Sequence, residues 1–146
     1  QSHMNVQPIL GIGVDQHELG HASSPGGKTL NMSKMIAWHV DHFAYLVDKL
    51  RSTPEGSGNM LDNTVVIFLN EAGHGFDPGA NRTWSSHSTE NMCALIAGRA
   101  GGLRPGQHVI ATGMHPVNVL ISGINACGVS GGLGEVAGNI PQLFQG

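Results

Sequence analysis

The sequence predicts an α/β domain in which helices flank a small, mostly parallel sheet. Two apolar runs, residues 64–69 and 92–97, have the composition of strands, and the first shows no alternation, as in a strand buried on both faces. Two longer segments repeat apolar residues at helical spacing. The resulting order of strand, helix, strand, strand and helix is typical of the α/β class.

The first half of the chain predicts a short strand followed by a long helix. Residues 6–14 are apolar with interspersed glycines, which indicates the strand. The helix starts after Asn31 or Ser33, since either side chain can cap it, and it runs to about Ser52. Apolar residues from Ile36 to Leu50 recur every three or four positions and form one stripe.

The second half predicts a loop, two strands and a helix. Residues 71–88 are interpreted as a long loop, which in a compact domain usually has a function. After the strand at 92–97, residues 108–111 are predicted as a short edge strand. A helix over residues 116–126 begins with Pro116 and ends near Gly128, the positions that these residue types favour.

The predicted organisation is one domain with a tail. Residues 1–4 resemble a cloning remnant and are left out of the fold. Residues 5–129 are expected to form a single α/β domain, and residues 130–146 an irregular, glycine-rich tail. A chain of 146 residues is long enough to bury a core of its own.

Composition limits the partners and points to metal chemistry. The net charge is −3 without any cluster of Lys or Arg, so the chain lacks the basic patch expected of a nucleic-acid-binding protein. No apolar run approaches the ~20 residues that a membrane-spanning helix needs. The nine histidines exceed the seven lysines and arginines, and neutral histidine is a common metal ligand.

The segment Asp15-Gln16-His17-Glu18-Leu19-Gly20-His21 carries the strongest chemical signal. A spacing of four residues places His17 and His21 on one side of a helical turn, where both can bind one metal ion. The segment also matches H-E-x-x-H, in which the glutamate activates water in zinc peptidases. A zinc metallopeptidase is therefore one alternative, although the nearby glycines and Pro25 leave a shorter helix than that class uses.

A longer pattern resembles the alkaline phosphatase/sulfatase superfamily. Residues 63–75, Asn-Thr-Val-Val-Ile-Phe-Leu-Asn-Glu-Ala-Gly-His-Gly, follow a helix ending in Asp48-Lys49-Leu50, much as the Asp-His-Gly metal motif follows a buried strand in that superfamily. Residues 17–25 resemble its Asp-x-x-x-His motif. The chain is closer still to an uncharacterised, often Tat-exported bacterial family, through residues 17–21, 38–50, 61–64 and 95–102. The fold implied is the C-terminal half of an alkaline phosphatase-like domain, and the location implied is periplasmic or secreted.

The resemblance implies roles for individual residues. His17 stands where the superfamily has a metal-binding aspartate, His21 at its metal-binding histidine, and His87 is the candidate for the later histidine ligand. Glu71 replaces the aspartate of Asp-His-Gly, as a direct ligand or as a partner of a ligand histidine. Because Ala72 stands at the place of that motif's histidine, and because the nucleophile belongs to an N-terminal half, one metal ion is expected instead of two.

The preferred interpretation is a metal-dependent hydrolase-like domain. One divalent ion, zinc, would be bound by His17, His21 and His87, with Asp15 and Glu71 as further candidate ligands. The substrate would be a small phosphate, sulfate or carboxyl ester, with Glu71 or Glu18 accepting the proton. The alternatives are a non-enzymatic metal-binding or structural module and the peptidase. An unpaired sheet edge or an exposed apolar face predicts a homo-oligomer.

Overall fold

The computed structural model describes residues 5–20, 27–77 and 82–144, with the backbone alone for residues 27–29, 74, 77 and 82–87. It divides into two units, Gln1–Ala44 and Tyr45–Gly146, and the division falls within the longest helix. Helices and antiparallel strands both occur, so the mixed α and β content expected from the sequence is confirmed. Within the described residues, no helix combines the length and the apolar character needed to cross a membrane.

The N-terminal unit begins with two short helices, α1 (Gln7–Leu10) and α2 (Gln16–Gly20). The predicted strand over residues 6–14 is therefore wrong. Pro8 lies in the first turn of α1, where its fixed φ suits a helix, and the Asn5 side chain accepts a hydrogen bond of 3.0 Å from the Gln7 N–H. Gly11 ends the helix in the left-handed conformation, with a φ of 69°.

The core of this unit joins the short helices to the long helix α3 (Gly27–Ser52). Its buried side chains flank α1 or lie on α2 and α3, with Leu10 and Met32 packed against them: Val6, Ile12, Leu19 and Met35. Helix α3 ends at Ser52 as predicted, ahead of Pro54, and begins several residues before the predicted caps. The burial of these apolar side chains is what holds α1 and α2 against α3.

The strands of the C-terminal unit form three separate two-stranded sheets among the described residues. The shortest strands, β1 (Pro54–Glu55) and β2 (Gly58–Asn59), pair with each other and lead into a 3₁₀ turn, Met60–Asn63. Asn59 caps that turn reciprocally with Asp62, because each side chain accepts a hydrogen bond from a backbone N–H near the other.

The central pair consists of β3 (Val65–Leu69) and β6 (Ala94–Gly98), close to the two predicted strands. They pair antiparallel, with Ile67 opposite Ile96, so the prediction of a mostly parallel sheet is wrong. A parallel pair requires a crossover connection, usually a helix, and the described residues between 70 and 93 contain no helix. The residues of β3 are also only half-buried, which removes the reason for expecting a fully covered strand.

A second hairpin replaces the predicted loop over residues 71–88. Strands β4 (Gly73–Asp77) and β5 (Arg82–Ser88) pair antiparallel, with irregular register on either side of Gly75. A side chain at Gly75 would collide with the Glu90 carboxylate, which accepts a hydrogen bond of 3.0 Å from the Phe76 N–H. The glycine therefore lets Glu90 reach the backbone of β4. The predicted edge strand at 108–111 is also wrong, because that segment is irregular.

Helix α4 (Val117–Ala126) confirms the predicted helix and packs on β3. A methyl group at Gly123 would lie 2.7 Å from Cδ1 of Ile67, so the bare glycine permits the close approach. The helix ends in a Schellman motif. The N–H groups of Gly128 and Val129 bond the carbonyls of Asn125 and Ile124, with a Gly128 φ of 80°.

Two buried polar side chains of α4 hold the C-terminal segment. Asn118 Nδ2 donates hydrogen bonds to the carbonyls of Ala137 and Gly138, at 3.0 and 2.7 Å, and its Oδ1 accepts one from the His115 N–H. Ser122 Oγ accepts a bond of 2.8 Å from the Ile140 N–H. Residues 130–144 contain one isolated bridge and a 3₁₀ turn, Pro141–Leu143. The predicted domain boundaries at 5, 129 and 130 stay a prediction.

We expect Asn118→Ala to destabilise the protein by roughly 2–3 kcal/mol, because it removes the three hydrogen bonds that this buried side chain makes to the backbone of His115, Ala137 and Gly138. Asn125→Ala is the matched control. That asparagine lies on the same helix and makes one exposed hydrogen bond, to the Val129 carbonyl, so we expect a loss of about 1 kcal/mol or less. Urea denaturation measures both. Equal losses for the two variants would show that Asn118 contributes no more to the free energy of unfolding than an exposed asparagine of the same helix.

Candidate functional site

Helix α2, which carries the predicted metal ligand His17, is positioned by Asp15 and Leu19. Asp15 is the residue before the helix, and its Oδ1 accepts a hydrogen bond of 3.0 Å from the Glu18 N–H. An aspartate at this position satisfies an N–H that the helix leaves unpaired. Leu19 points into the core of the N-terminal unit. With Leu19 buried, Glu18 is exposed and His17 is half-buried.

Of the two predicted metal-binding histidines of this segment, the structure describes only His17. His17 lies inside α2, so it has the helical backbone that the four-residue spacing assumes. His21 follows directly after the last residue of α2 and lies outside the described residues. Asp15, the further predicted ligand, uses one carboxylate oxygen for the helix cap. The structure thus provides the turn that carries the first histidine of the pair.

The segment also contacts a histidine of α3 that the sequence analysis did not assign to the site. The ring Nε2 of His39 lies 3.2 Å from Oε1 of Gln16, the first residue of α2. Because an amide oxygen only accepts, Nε2 of His39 donates this hydrogen bond. The bond ties α2 to α3 beside His17. Nothing in the spacing of Gln16 and His39 along the chain could have indicated it.

The surroundings of His39 favour its neutral form. Burial, and secondly the charge of His42, lower the pKa of His39 from its ordinary value. His42 donates a hydrogen bond of 2.7 Å from Nδ1 to the Trp38 carbonyl. The Trp38 ring contacts both imidazoles, with centroid distances of 5.0 Å to His39 and 4.3 Å to His42. This face of α3 thus presents an aromatic group with two histidines one turn apart.

The remaining predicted site residues lie in the C-terminal unit. Glu71 is exposed and follows β3 by two residues. His87 is in β5, next to Ser88, and Ser88 pairs with Gly73 of β4. The side chain of His87 lies outside the described part of the structure. The register thus places the backbone of His87 near the start of β4. It does not place Glu71 and His87 in a common cluster.

Among the side chains that the structure describes, no three His, Cys, Asp or Glu residues are grouped closely enough to hold a metal ion. Asp15, His17 and Glu71 therefore do not complete a metal site by themselves. A site of the predicted composition also needs the imidazoles of His21 and His87, the two predicted ligands whose side chains lie outside the described part of the structure. Their donor type suits zinc, because zinc prefers nitrogen and sulfur ligands.

The C-terminal unit contains a cleft that the sequence analysis did not find. Its volume is about 990 Å³, at the upper end of the range for small-molecule sites. The walls are β6 and the irregular segment 104–116, with apolar and ionisable side chains that include Leu95, Arg104 and His108. The segment 104–116 has no motif or periodicity, so the sequence offered no signal for it.

His115, at one end of this cleft, is engaged in capping α4. Its Nδ1 accepts a hydrogen bond of 3.2 Å from the Val117 N–H, at the first turn of the helix. That nitrogen is therefore already used as a helix cap.

Searches of protein-family models, curated proteins and solved structures return no significant match for this chain.

We expect the protein to lose stability when the pH falls below about 6.5, the ordinary pKa of histidine. The pKa of His39 is lowered in the folded protein, so the unfolded chain binds that proton more readily. Above the unfolded pKa, His39 is neutral in both states and its burial costs no stability. As the pH falls from the unfolded pKa toward the folded pKa, the unfolded chain takes up the proton first, and the free energy of unfolding decreases. Urea midpoints of the wild type and of His39→Asn, measured from pH 8 to pH 5, test this.

The variant His39→Asn should lose part of the pH dependence of the midpoint. His108→Asn is the control, because His108 is exposed in the other unit and should keep the wild-type slope. If the slopes of all three proteins coincide, burial of His39 does not influence stability in this pH range.

Proposed function

We propose that this chain is a metal-dependent hydrolase-like domain that binds one divalent ion, zinc, and acts on a phosphate, sulfate or carboxyl ester. The observation that carries the proposal is the position of His17 on the capped turn α2, with His21 four residues further along the chain. Two imidazoles at this spacing are a common half of a zinc site. The sequence prediction adds His87 as the third ligand.

The surroundings of α2 support a cation beside His17. The lowered pKa of His39 keeps that imidazole uncharged near neutral pH, so it does not repel a positive ion close to α2. Asp15 holds the helix by its cap and adds a negative charge next to His17. Leu19 anchors the same turn in the core, so the backbone that carries His17 is fixed before an ion binds.

Zinc held by three protein ligands lowers the pKa of water to about 7 and so supplies a nucleophile at neutral pH. The chain itself has to supply a proton acceptor. Glu71 and Glu18 are the proposed carboxylates, and both are exposed to solvent. The choice of ester substrates rests on the resemblance to the alkaline phosphatase/sulfatase superfamily, and that resemblance stays a prediction.

Zinc titration followed by calorimetry tests the proposal. We expect the wild type to bind one zinc ion and His17→Ala to bind it at least about 100-fold more weakly, since one of three ligands is lost. His108→Ala is the control, because it removes an exposed histidine of the C-terminal unit. Glu71→Gln should keep the zinc stoichiometry and abolish hydrolysis of p-nitrophenyl phosphate, sulfate or acetate.

The same variants separate the alternatives. A protein that binds no zinc under titration contradicts the proposal. Zinc binding without turnover, together with unfolding of His17→Ala, would indicate a structural module. Peptide cleavage that is lost in Glu18→Gln, with zinc retained, would instead indicate the H-E-x-x-H peptidase.

We also propose that the protein forms a homo-oligomer. The C-terminal unit exposes several large apolar side chains, including Tyr45, Leu46 and Phe76, and within its described residues each sheet has only two strands. Exposed apolar surface and open edges favour association. Multi-angle light scattering should give at least twice the monomer mass of 15.3 kDa, and a monomer at all accessible concentrations contradicts this inference.

A further inference from the structure

The cleft of the C-terminal unit follows the free edge of strand β6. Four of the five residues of β6 line it, together with Met92 and Cys93 before the strand, whereas β3 contributes only its last residue, Leu69. Successive side chains of a strand point to opposite faces of a sheet. A groove on one face would therefore be lined by alternate residues of both strands. Consecutive lining by one strand is the pattern of an edge.

The backbone of β6 has hydrogen-bonding groups that face this cleft. In an antiparallel pair, alternate residues direct their N–H and C=O groups to the partner strand, and the others direct them outward. β6 pairs with β3 on one side, and no backbone hydrogen bond within the described residues joins β6 to segment 104–116 across the cleft. The strand contains no charged residue or proline that would blunt its edge.

We propose that this cleft binds an extended peptide of another protein by addition of a strand to β6. Backbone hydrogen bonds to the outward groups of β6 would hold the peptide, as in other cases of strand addition. Leu95 and Ile110, one on each wall, are 42% and 75% exposed and would contact alternate apolar side chains of the peptide. The preferred ligand thus alternates apolar and polar residues.

The shape of the cleft favours a peptide over a second copy of this chain. Both β6 and segment 104–116 line the cleft, so a strand bound along β6 would have protein on its other side as well, and a folded copy would have to insert a strand without its neighbouring segments. Arg104 on that wall carries a positive charge, which favours an acidic group at the end of the peptide. The inference concerns the C-terminal unit and does not depend on the proposed zinc chemistry.

The two cysteines of the chain provide a direct test. Both are exposed, but Cys93 lines the cleft and Cys127 does not. The probe is a blocked heptapeptide of alternating valine and threonine between two glutamates. At up to about 1 mM peptide, we expect the rate of alkylation of Cys93 by iodoacetamide to fall severalfold, with that of Cys127 unchanged. Hydrogen exchange of the amides of Ala94–Gly98 should slow in the same samples.

Matched controls test the mode of binding. A peptide with every central residue N-methylated lacks the backbone donors and should give no protection. Leu95→Lys should weaken binding by about tenfold or more, because it removes an apolar contact at the cleft. Leu120→Lys, which replaces a leucine of similar exposure outside the cleft, should leave binding unchanged.

Three results would overturn the proposal. The first is an unprotected Cys93 at the highest peptide concentration. The second is equal protection by the N-methylated peptide, which would show that backbone hydrogen bonds are not used. The third is an oligomer that Leu95→Lys dissociates, which would show that a second copy of the chain occupies β6.

Discussion

The C-terminal unit depends on the hydrogen bonds that two buried side chains of helix α4 make to the segment that follows it. Asn118 and Ser122 lie one turn apart on the helix and bond the backbone of residues 137–140. The segment from Gly128 to Gly138 contains five glycines, so it has few side chains of its own to fix its conformation. Because a buried polar side chain is costly when unpaired, Asn118 and Ser122 favour the one path of residues 137–140 that satisfies both of them. They also bring Ile140 to a wall of the cleft.

The sequence predicts the two longest helices well, because their apolar periodicity is long. It predicts poorly how the strands pair with one another. Helices α3 and α4 were recognisable from repeated apolar positions and from proline and glycine at their ends. Strands β3 and β6 were found, but their direction depends on what connects them, and a hairpin of weak local pattern replaced the expected loop. Residues 6–14 were misinterpreted because a short apolar run fits a strand or a helix equally, and Pro8 and Asn5 decided between them.

For the candidate sites too, the sequence predicts what depends on local pattern and misses what depends on packing between distant segments. The Asp15–His21 segment was visible in the sequence because its residue types and spacing are specific, and the structure adds the cap by Asp15 and the contact between Gln16 and His39. The cleft along β6 was not visible, because it is assembled from residues far apart in sequence and from an irregular segment. Concave surfaces of this kind arise from packing and leave no local pattern.

The single apolar anchor of α2 has a consequence for how this segment can evolve. A helix of one turn has no second buried residue to set its rotational phase, so Leu19, together with the Asp15 cap and the Gln16–His39 hydrogen bond, decides which way the neighbouring side chains point. Each residue advances the direction by about 100°. Inserting or deleting one amino acid between His17 and Leu19 would rotate the imidazole by about 100° around the helix axis relative to Leu19. The number of residues between His17 and Leu19 is therefore constrained in addition to their types.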